Sequence, residues 1–380
     1  MPTFVTRLCA TACALIVCAA SVAQTPIPAA PTINATSYLV QDHFSGKIIA
    51  QKNASERLPP ASITKLMTAY ATFKKLREGS ITLADKVSIS QRAYKAEGSR
   101  MFVEINSKVK LEDLIQGMIV QSGNDASIAI AEHIGGTEEV FVNLMNYFAS
   151  ELGMTDTQFA NSTGLPAEGH FSTAADIAKV SNAIIREFPE YYRWYSQREY
   201  TYNNIPQYNR NTLLAIDDSV DGMKTGRTDE AGYCLVASAL RGQMRLVSVV
   251  MGTPSKRVRA DASQALLNYA FNFYETHRLY SAGEAVATPR IWKADADAIR
   301  IGLLEDLFVT IPKGQYSHLN ATMDLQQPLT APVAAGSPVG SVTVNLMEQV
   351  IANPQVVALE SVGEGGFFQR MSDAVLLWFE

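Results

Sequence analysis

Hydrophobic and polar positions alternate in two different rhythms along this chain. Residues 38–41 and 47–51 are short β-prone runs on either side of Ser45-Gly46, a spacing that predicts two strands and a turn. Pro59-Pro60 stops the extended run. Ile63, Leu66, Met67, Tyr70 and Phe73 then recur at helical spacing. The same rhythm predicts helices over 111–119, 125–134, 140–152 and 173–185. After Gly222-Met223-Lys224-Thr225-Gly226 and a turn at 229–232, residues 233–240 and 245–251 read as paired strands around Arg241-Gly242-Gln243. Residues 266–274 read as a helix. The pattern predicts an α+β domain, with an antiparallel sheet fed from both chain ends and helices grouped between. Beyond about residue 279 the texture changes. Short β-prone runs at 307–311, 339–346 and 356–359, separated by Pro and Gly, predict a smaller all-β domain.

The two ends carry their own signals. Arg7, an apolar stretch over 8–20 and Ser21-Val22-Ala23 read as an export signal cleaved after Ala23. The alternative, a transmembrane anchor, suffers from a run too short for a hydrocarbon core of about 30 Å. Cleavage removes Cys9, Cys13 and Cys18, so Cys234 is left without a disulfide partner and reads as a buried strand residue. At the other end, Phe367, Phe368, Met371, Ala374, Val375, Trp378 and Phe379 share one helical face, and Gln369, Arg370, Ser372 and Asp373 take the other. This predicts an amphipathic helix lying in a membrane interface behind a flexible tether, Gly363-Glu364-Gly365-Gly366. Its alternative is a helix docked on the body of the protein. The expected divisions are 1–23 signal, 24–278 catalytic domain, 279–362 β-rich domain and 363–380 amphipathic segment.

Composition narrows the function classes. At 380 residues, 47% apolar and 18% charged, the chain can bury a sizeable core. A net charge of −5 with no basic stripe gives no reason to expect nucleic acid. The histidines at 43, 133, 170, 277 and 318 are scattered without a His-x-x-x-His pair, so no metal or other cofactor is expected. No Gly-x-Ser-x-Gly elbow marks a Ser-His-Asp hydrolase.

Three short motifs carry the chemistry. Ser62-Ile63-Thr64-Lys65 follows two prolines and opens a helix, where a spacing of three sets Lys65 beside Ser62. The Ser62 N–H would sit among the free donors of the helix N-terminus. Ser107-Lys108-Val109-Lys110 has the same spacing but lies in a charged turn and reads as surface. Ser122-Gly123-Asn124 lies between two predicted helices, and Lys224-Thr225-Gly226 at a strand start. Each motif alone fits a cap, a turn or a solvated edge. Together, in this order, they match the set characteristic of active-serine penicillin-interacting enzymes.

On residues 60–68, 121–126 and 221–226 the chain closely resembles the D-Ala-D-Ala carboxypeptidases among low-molecular-mass penicillin-binding proteins. The likeness extends over nearly the whole mature chain. It implies a serine β-lactamase/transpeptidase-like domain followed by a small all-β domain. The implied reaction removes the terminal D-Ala from peptidoglycan stem pentapeptides through an acyl-enzyme, with β-lactam antibiotics as inhibitors. Ser62 would be the nucleophile, Lys65 its base, and Ser122 a proton relay. Asn124 would orient the substrate amide, and Lys224 and Thr225 would hold the terminal carboxylate. The backbone N–H groups of Ser62 and Arg227 would form the oxyanion hole. Arg227 stands where a small, aromatic or His residue is expected. Arg259 matches an arginine that helps bind the carboxylate, against the plainer reading of one cation among Lys256, Arg257 and Arg259. The resemblance also implies a periplasmic protein attached by its tail to the outer face of the inner membrane.

The base role makes a physical demand. At an ordinary pKa of about 10.4, only ~0.04% of a lysine is neutral at pH 7. Burial and a second nearby cation are the means of lowering it. Two alternatives remain in view: a β-lactamase, for which Glu168 is the available carboxylate, and an inactive wall-binding scaffold.

Overall fold

The computed structural model describes residues 27–379, so the expected export signal and Cys9, Cys13 and Cys18 lie outside the described residues. Strands β1 (Ser37–Asp42) and β2 (Ile48–Lys52) form the expected hairpin. β3 (Val220–Thr228), β4 (Gly232–Arg241) and β5 (Met244–Thr253) complete a five-stranded antiparallel sheet in the order β2-β1-β5-β4-β3. The N-terminal hairpin thus meets β5 from the other end of the domain. The chain must leave the sheet after β2, build the helices, and return.

Both faces of the sheet are covered, and the strands show it. In β4, Cys234 and Val236 face the helical cluster, while Leu235 and Ala237 face the opposite layer. In β5, Val247, Val249 and Met251 face the cluster, and Leu246 and Val250 the other side. Period-two alternation therefore separates two apolar cores instead of an apolar face from a wet one. The cluster comprises α1 (Lys65–Arg77), α2 (Leu111–Val120), α3 (Asn124–Gly135), α4 (Glu138–Glu151) and α5 (Ala174–Glu187). Thr137 and Thr173 cap α4 and α5, accepting N–H bonds from Val140 and Asp176. The opposite layer is α6 (Lys256–Phe273), where Leu266, Leu267, Ala270 and Phe271 pack on the sheet.

Several expectations need correction. The helix expected from residue 266 starts ten residues earlier, capped by Ser255, because its first turns are polar and carry little apolar periodicity. Ser62 does not open an α-helix: it lies in a 3₁₀ turn, Ala61–Thr64, that leads into α1. Nor does α1 present one apolar face, since every residue from Lys65 to Phe73 is buried. Lys224 sits in the middle of β3, not at its start.

After α6 the chain enters Tyr274–Tyr280, which pairs with Leu307–Pro312. Residue 278, the expected domain limit, falls inside that strand. A six-stranded sheet follows, with the expected strands Pro338–Leu346 and Gln355–Ala358 at its centre and an apolar core of its own. The link to the first sheet combines an aromatic stack, Phe44 on Phe308 at 4.8 Å, with a polar contact. The buried Asp42 carboxylate accepts from Phe44 N–H, Ser45 N–H, the Ser45 hydroxyl and the Thr276 hydroxyl.

The chain ends in α7 (Phe367–Leu376). Asp373, expected on the polar outer face, is buried. It accepts from Lys293 N–H at 2.6 Å and lies 3.6 Å from Arg290. The preceding glycines are not a free tether. Glu364 pairs with Ala294, and a Cβ on Gly365 would stand 2.3 Å from the Ala294 carbonyl. Asp373 is therefore the docking point of α7, while Gln369, Arg370 and Ser372 are exposed, as are Phe367, Phe368, Met371, Val375, Leu376, Trp378 and Phe379.

Candidate active site

Three elements meet at one cleft of about 800 Å³: the 3₁₀ turn ahead of α1, the loop before α3, and edge strand β3. Ser62, Ser122, Asn124, Thr225, Gly226, Arg227 and Arg259 all line it. Lys65 and Lys224 are buried behind them. The structure thus brings together every residue to which the resemblance gave a catalytic or substrate-binding role. Ser107 stays away, its hydroxyl donating to Glu104 O in a local turn.

The parts are pressed together by close backbone approach. A Cβ on Gly226 would lie 3.1 Å from both Ser62 N and Pro60 O, so glycine lets β3 abut the nucleophile turn. Ala61 (φ 47°) and Ser122 (φ 66°) hold left-handed conformations that L side chains rarely adopt. Asp125 anchors the second motif, accepting from the N–H groups of Met101, Phe102, Val103 and Ala126.

Lys65 Nζ has three partners: Asn124 Oδ1 at 2.7 Å, Thr163 O at 2.5 Å and Ser62 Oγ at 3.2 Å. A neutral amine has two N–H groups and one lone pair. If the N–H groups take the two carbonyl-type acceptors, which cannot donate, the lone pair is left facing the serine hydroxyl. Burial pulls the Lys65 pKa down to about 7, with the Arg210 charge adding to the effect and Asp125 opposing it. A drop of that size disfavours the ammonium by about 5 kcal/mol. Lys224 is likewise pushed well below the ordinary lysine range by burial, and by the charges of Lys65, Arg210 and Arg259. Two buried amines with no carboxylate between them do not both hold their protons. The Ser122 hydroxyl is buried and finds no partner among the described residues, which leaves it free to meet a substrate.

A segment that the sequence reading passed over completes the site. The Thr163 carbonyl is aimed by an Asn161 turn, whose Oδ1 accepts from Thr163 N–H, the Thr163 hydroxyl and Gly164 N–H. Gly164 (φ 82°) lies so close to the nucleophile turn that a Cβ would stand 1.8 Å from Ala61 O. Below it, His170 accepts Ala160 N–H at Nδ1, so Nε2 carries the hydrogen and donates to Thr64. Burial and the Lys65 charge lower its pKa to about 4. The run Asn161-Ser162-Thr163-Gly164 is a turn signal in the sequence, yet nothing local says what it packs against. Arg210 was also missed, being a lone arginine in a loop. Glu168 is exposed and does not line the cleft, so no lining carboxylate is available to activate a deacylating water.

A buried amine bonded to a serine hydroxyl, set between a helical cluster and the edge of a five-stranded antiparallel sheet, defines a class: an α+β hydrolase of the penicillin-binding kind. Comparison with known proteins narrows it. The family described as D-alanyl-D-alanine carboxypeptidase matches residues 24–255, and the penicillin-binding protein 5 C-terminal domain matches residues 274–364. D-alanyl-D-alanine carboxypeptidase DacC of Escherichia coli (strain K12) is 42% identical over 358 residues, covering 92% of this chain and 90% of that protein. The crystal structure of penicillin binding protein 5 from Haemophilus influenzae has a TM-score of 0.85 at 40% identity, covering 89% of this chain and 100% of that one. DacD from Francisella tularensis has a TM-score of 0.73 at 33% identity, covering 91% and 98%. The chain belongs to the D-alanyl-D-alanine carboxypeptidase family of low-molecular-mass penicillin-binding proteins, with the C-terminal β domain of that group.

Proposed function

We propose that the carboxypeptidase reaction runs through an acyl-enzyme on Ser62, on peptidoglycan stem pentapeptides ending in D-Ala-D-Ala. Ser62 Oγ attacks the carbonyl of the penultimate D-Ala as its proton passes to Lys65 Nζ. Negative charge growing on the carbonyl oxygen is met by the N–H groups of Ser62 and Arg227. Lys224, Thr225 and Arg259 take the terminal carboxylate. Ser122 relays the proton that Lys65 took from Ser62 to the departing D-Ala nitrogen, which returns Lys65 to the neutral amine. Asn124 holds Lys65 through Oδ1, and its remaining amide hydrogen is available to the substrate. Water then enters and attacks the ester carbonyl as Lys65 takes its proton, and Lys65 returns that proton to Ser62 Oγ as the C–O bond breaks, which releases the acid and restores the free serine. β-Lactams acylate Ser62 by the same first step, but their leaving nitrogen stays tethered to the acyl group, so it does not depart as D-Ala does and the ester persists.

The observation that carries this reading is the Lys65 amine, buried and held by two acceptors with its third bond to Ser62. Incubating the protein with a pentapeptide and weighing the products should reveal loss of one alanine. Ser62→Ala should abolish that loss, and with it labelling by a fluorescent penicillin. A Ser62→Ala protein that still labels would overturn the assignment.

The ends of the chain fit the same setting. Residues 1–23 act as an export signal and place the protein in the periplasm. The catalytic domain runs to Phe273, where α6 gives way to the strand Tyr274–Tyr280, and the β-rich domain follows. α7 lies in the membrane surface, since Asp373 anchors it to Lys293 N–H and its apolar side is uncovered. Co-sedimentation with phospholipid vesicles tests this: Phe368→Glu with Trp378→Glu should leave the protein in the supernatant.

A further inference from the structure

A glutamate in the first turn of a helix ordinarily points into water, where the helix N-terminus still favours its charge. Glu138, the first residue of α4, is instead buried at 4% exposure. A carboxylate in such a place needs a donor for each oxygen. Oε1 accepts the Ser162 N–H at 2.9 Å and the Ser162 hydroxyl at 2.6 Å, and Oε2 accepts from Arg92 at 2.5 Å. Its neighbour Glu139 shares the same arginine but is 70% exposed. Nothing in the acyl transfer described above uses Glu138.

What Glu138 holds is the segment that aims at the base. The side-chain bonds of Asn161 run within that segment, to Thr163, Gly164 and Leu165. They shape the turn without fixing its place against the helices. Ser162 does that. Its N–H and hydroxyl go to Glu138 on α4, and its carbonyl accepts the Thr68 hydroxyl of α1 at 2.7 Å. The next carbonyl along the chain, that of Thr163, is the one that accepts from Lys65. A residue clamped at both its N–H and its carbonyl leaves the following carbonyl little freedom. The carboxylate also acts through space, favouring the charged form of Lys65 against the effect of burial. The other ionisable groups facing Lys65 are Asp125, Arg210, Lys224 and the neutral His170. Around Glu138 they are Arg92, which also feels Glu139 and Glu132, and Lys95, which lines the hollow beside it.

We propose that Glu138 is a positioning residue for the base: by clamping Ser162 it sets the place of the Thr163 carbonyl, and through it the direction in which the Lys65 lone pair meets Ser62. The inference rests on the assignment of Lys65 given above. Glu138 touches neither substrate nor nucleophile, so its influence falls on the rate of acyl transfer and not on the binding of the terminal carboxylate.

The test follows acylation of the full chain by a chromogenic penicillin in stopped flow, as a function of penicillin concentration and pH. Glu138→Ala removes the clamp and should slow the limiting rate by roughly 10²-fold. The penicillin concentration for half-saturation should stay within about twofold, since Lys224, Thr225 and Arg259 are untouched. Glu138→Asp keeps the charge but falls one carbon short, and should slow the limiting rate by about tenfold. Glu138→Gln keeps an oxygen for the Ser162 N–H while Arg92 stays on Glu139, and should return to within about fivefold of the native rate. Glu138→Ala and Glu138→Gln both lack the negative charge, so their profiles should rise at lower pH than the native one. Glu139→Gln removes a charge from the same arginine without touching Ser162, and should match the native protein in rate and profile. The proposal is overturned if Glu138→Ala acylates at the native rate, if Glu138→Gln is as slow as Glu138→Ala, or if neither profile moves. Should Glu138→Ala fail to fold, Glu138→Asp decides, and a native rate there overturns the proposal. A flat profile in the native protein would refute the assignment of Lys65, and the proposal with it.

Discussion

Lys65 concentrates the chemistry of this protein in one nitrogen. An ammonium there would be buried without a direct carboxylate partner, while Asn124 and Thr163 occupy two of its three bonding directions. With its pKa near 7, about half of the amine is neutral at pH 7. The sign follows. Below about pH 7 the base is protonated, so penicillin acylation should fall tenfold per pH unit, and above it the rate should level off. A stopped-flow pH profile measures this, and a flat profile between pH 5 and 8 would count against Lys65 as the base. The same group affects stability. Between about 7 and the unfolded value near 10.4, the unfolded chain binds the extra proton, so folding strengthens as pH rises through that window.

Among the elements, the segment 161–165 has an influence beyond its size. It carries no side chain into the reaction. It aims one carbonyl at the base, and it packs by glycine against the turn that holds the nucleophile. Gly164→Ala would force a Cβ into Ala61 O at a position with φ 82°. The expected cost is about 2–3 kcal/mol of stability, read from urea unfolding. Displacing the turn by about 1 Å should also slow acylation by roughly 10²-fold. Acylation at the native rate would mean that the segment is not a support for the site. Edge strand β3 works in the same manner: its glycine at 226 allows an approach that any side chain would crowd.

At the scale of the whole molecule, two bodies with separate apolar cores meet through a joint that sets the Phe44–Phe308 stack beside the Asp42 carboxylate. Asp42 gathers four donors, one of them from Thr276 on the far side. Asp42→Ala leaves buried donors without an acceptor and should cost about 2–3 kcal/mol. Calorimetry should then resolve two transitions where the native protein is expected to show one, and retention of a single unshifted transition would argue against coupling through this carboxylate. At the far end, α7 leaves uncovered the apolar face expected for a membrane interface, and Asp373 alone departs from the expected polar outer face. Its aspartate is buried on the Lys293 N–H, a charge-assisted bond, while its aromatics face outward.

Period-two and helical spacing in the sequence determined the hairpin, the paired strands and the helical cluster, because those patterns follow from which side of a local element meets water. The three motifs determined the reaction class, since the residue types needed for acyl transfer stand in a fixed order. Tertiary structure alone decided the rest. A helix start built of polar residues, as in α6, leaves no apolar rhythm to read. The bonding of Lys65 to Thr163 joins positions 98 apart in the chain, and no local pattern encodes such a meeting. Nor could spacing reveal that the glycines before α7 form a packed contact, because a residue without a side chain serves a loose linker and a tight approach equally well.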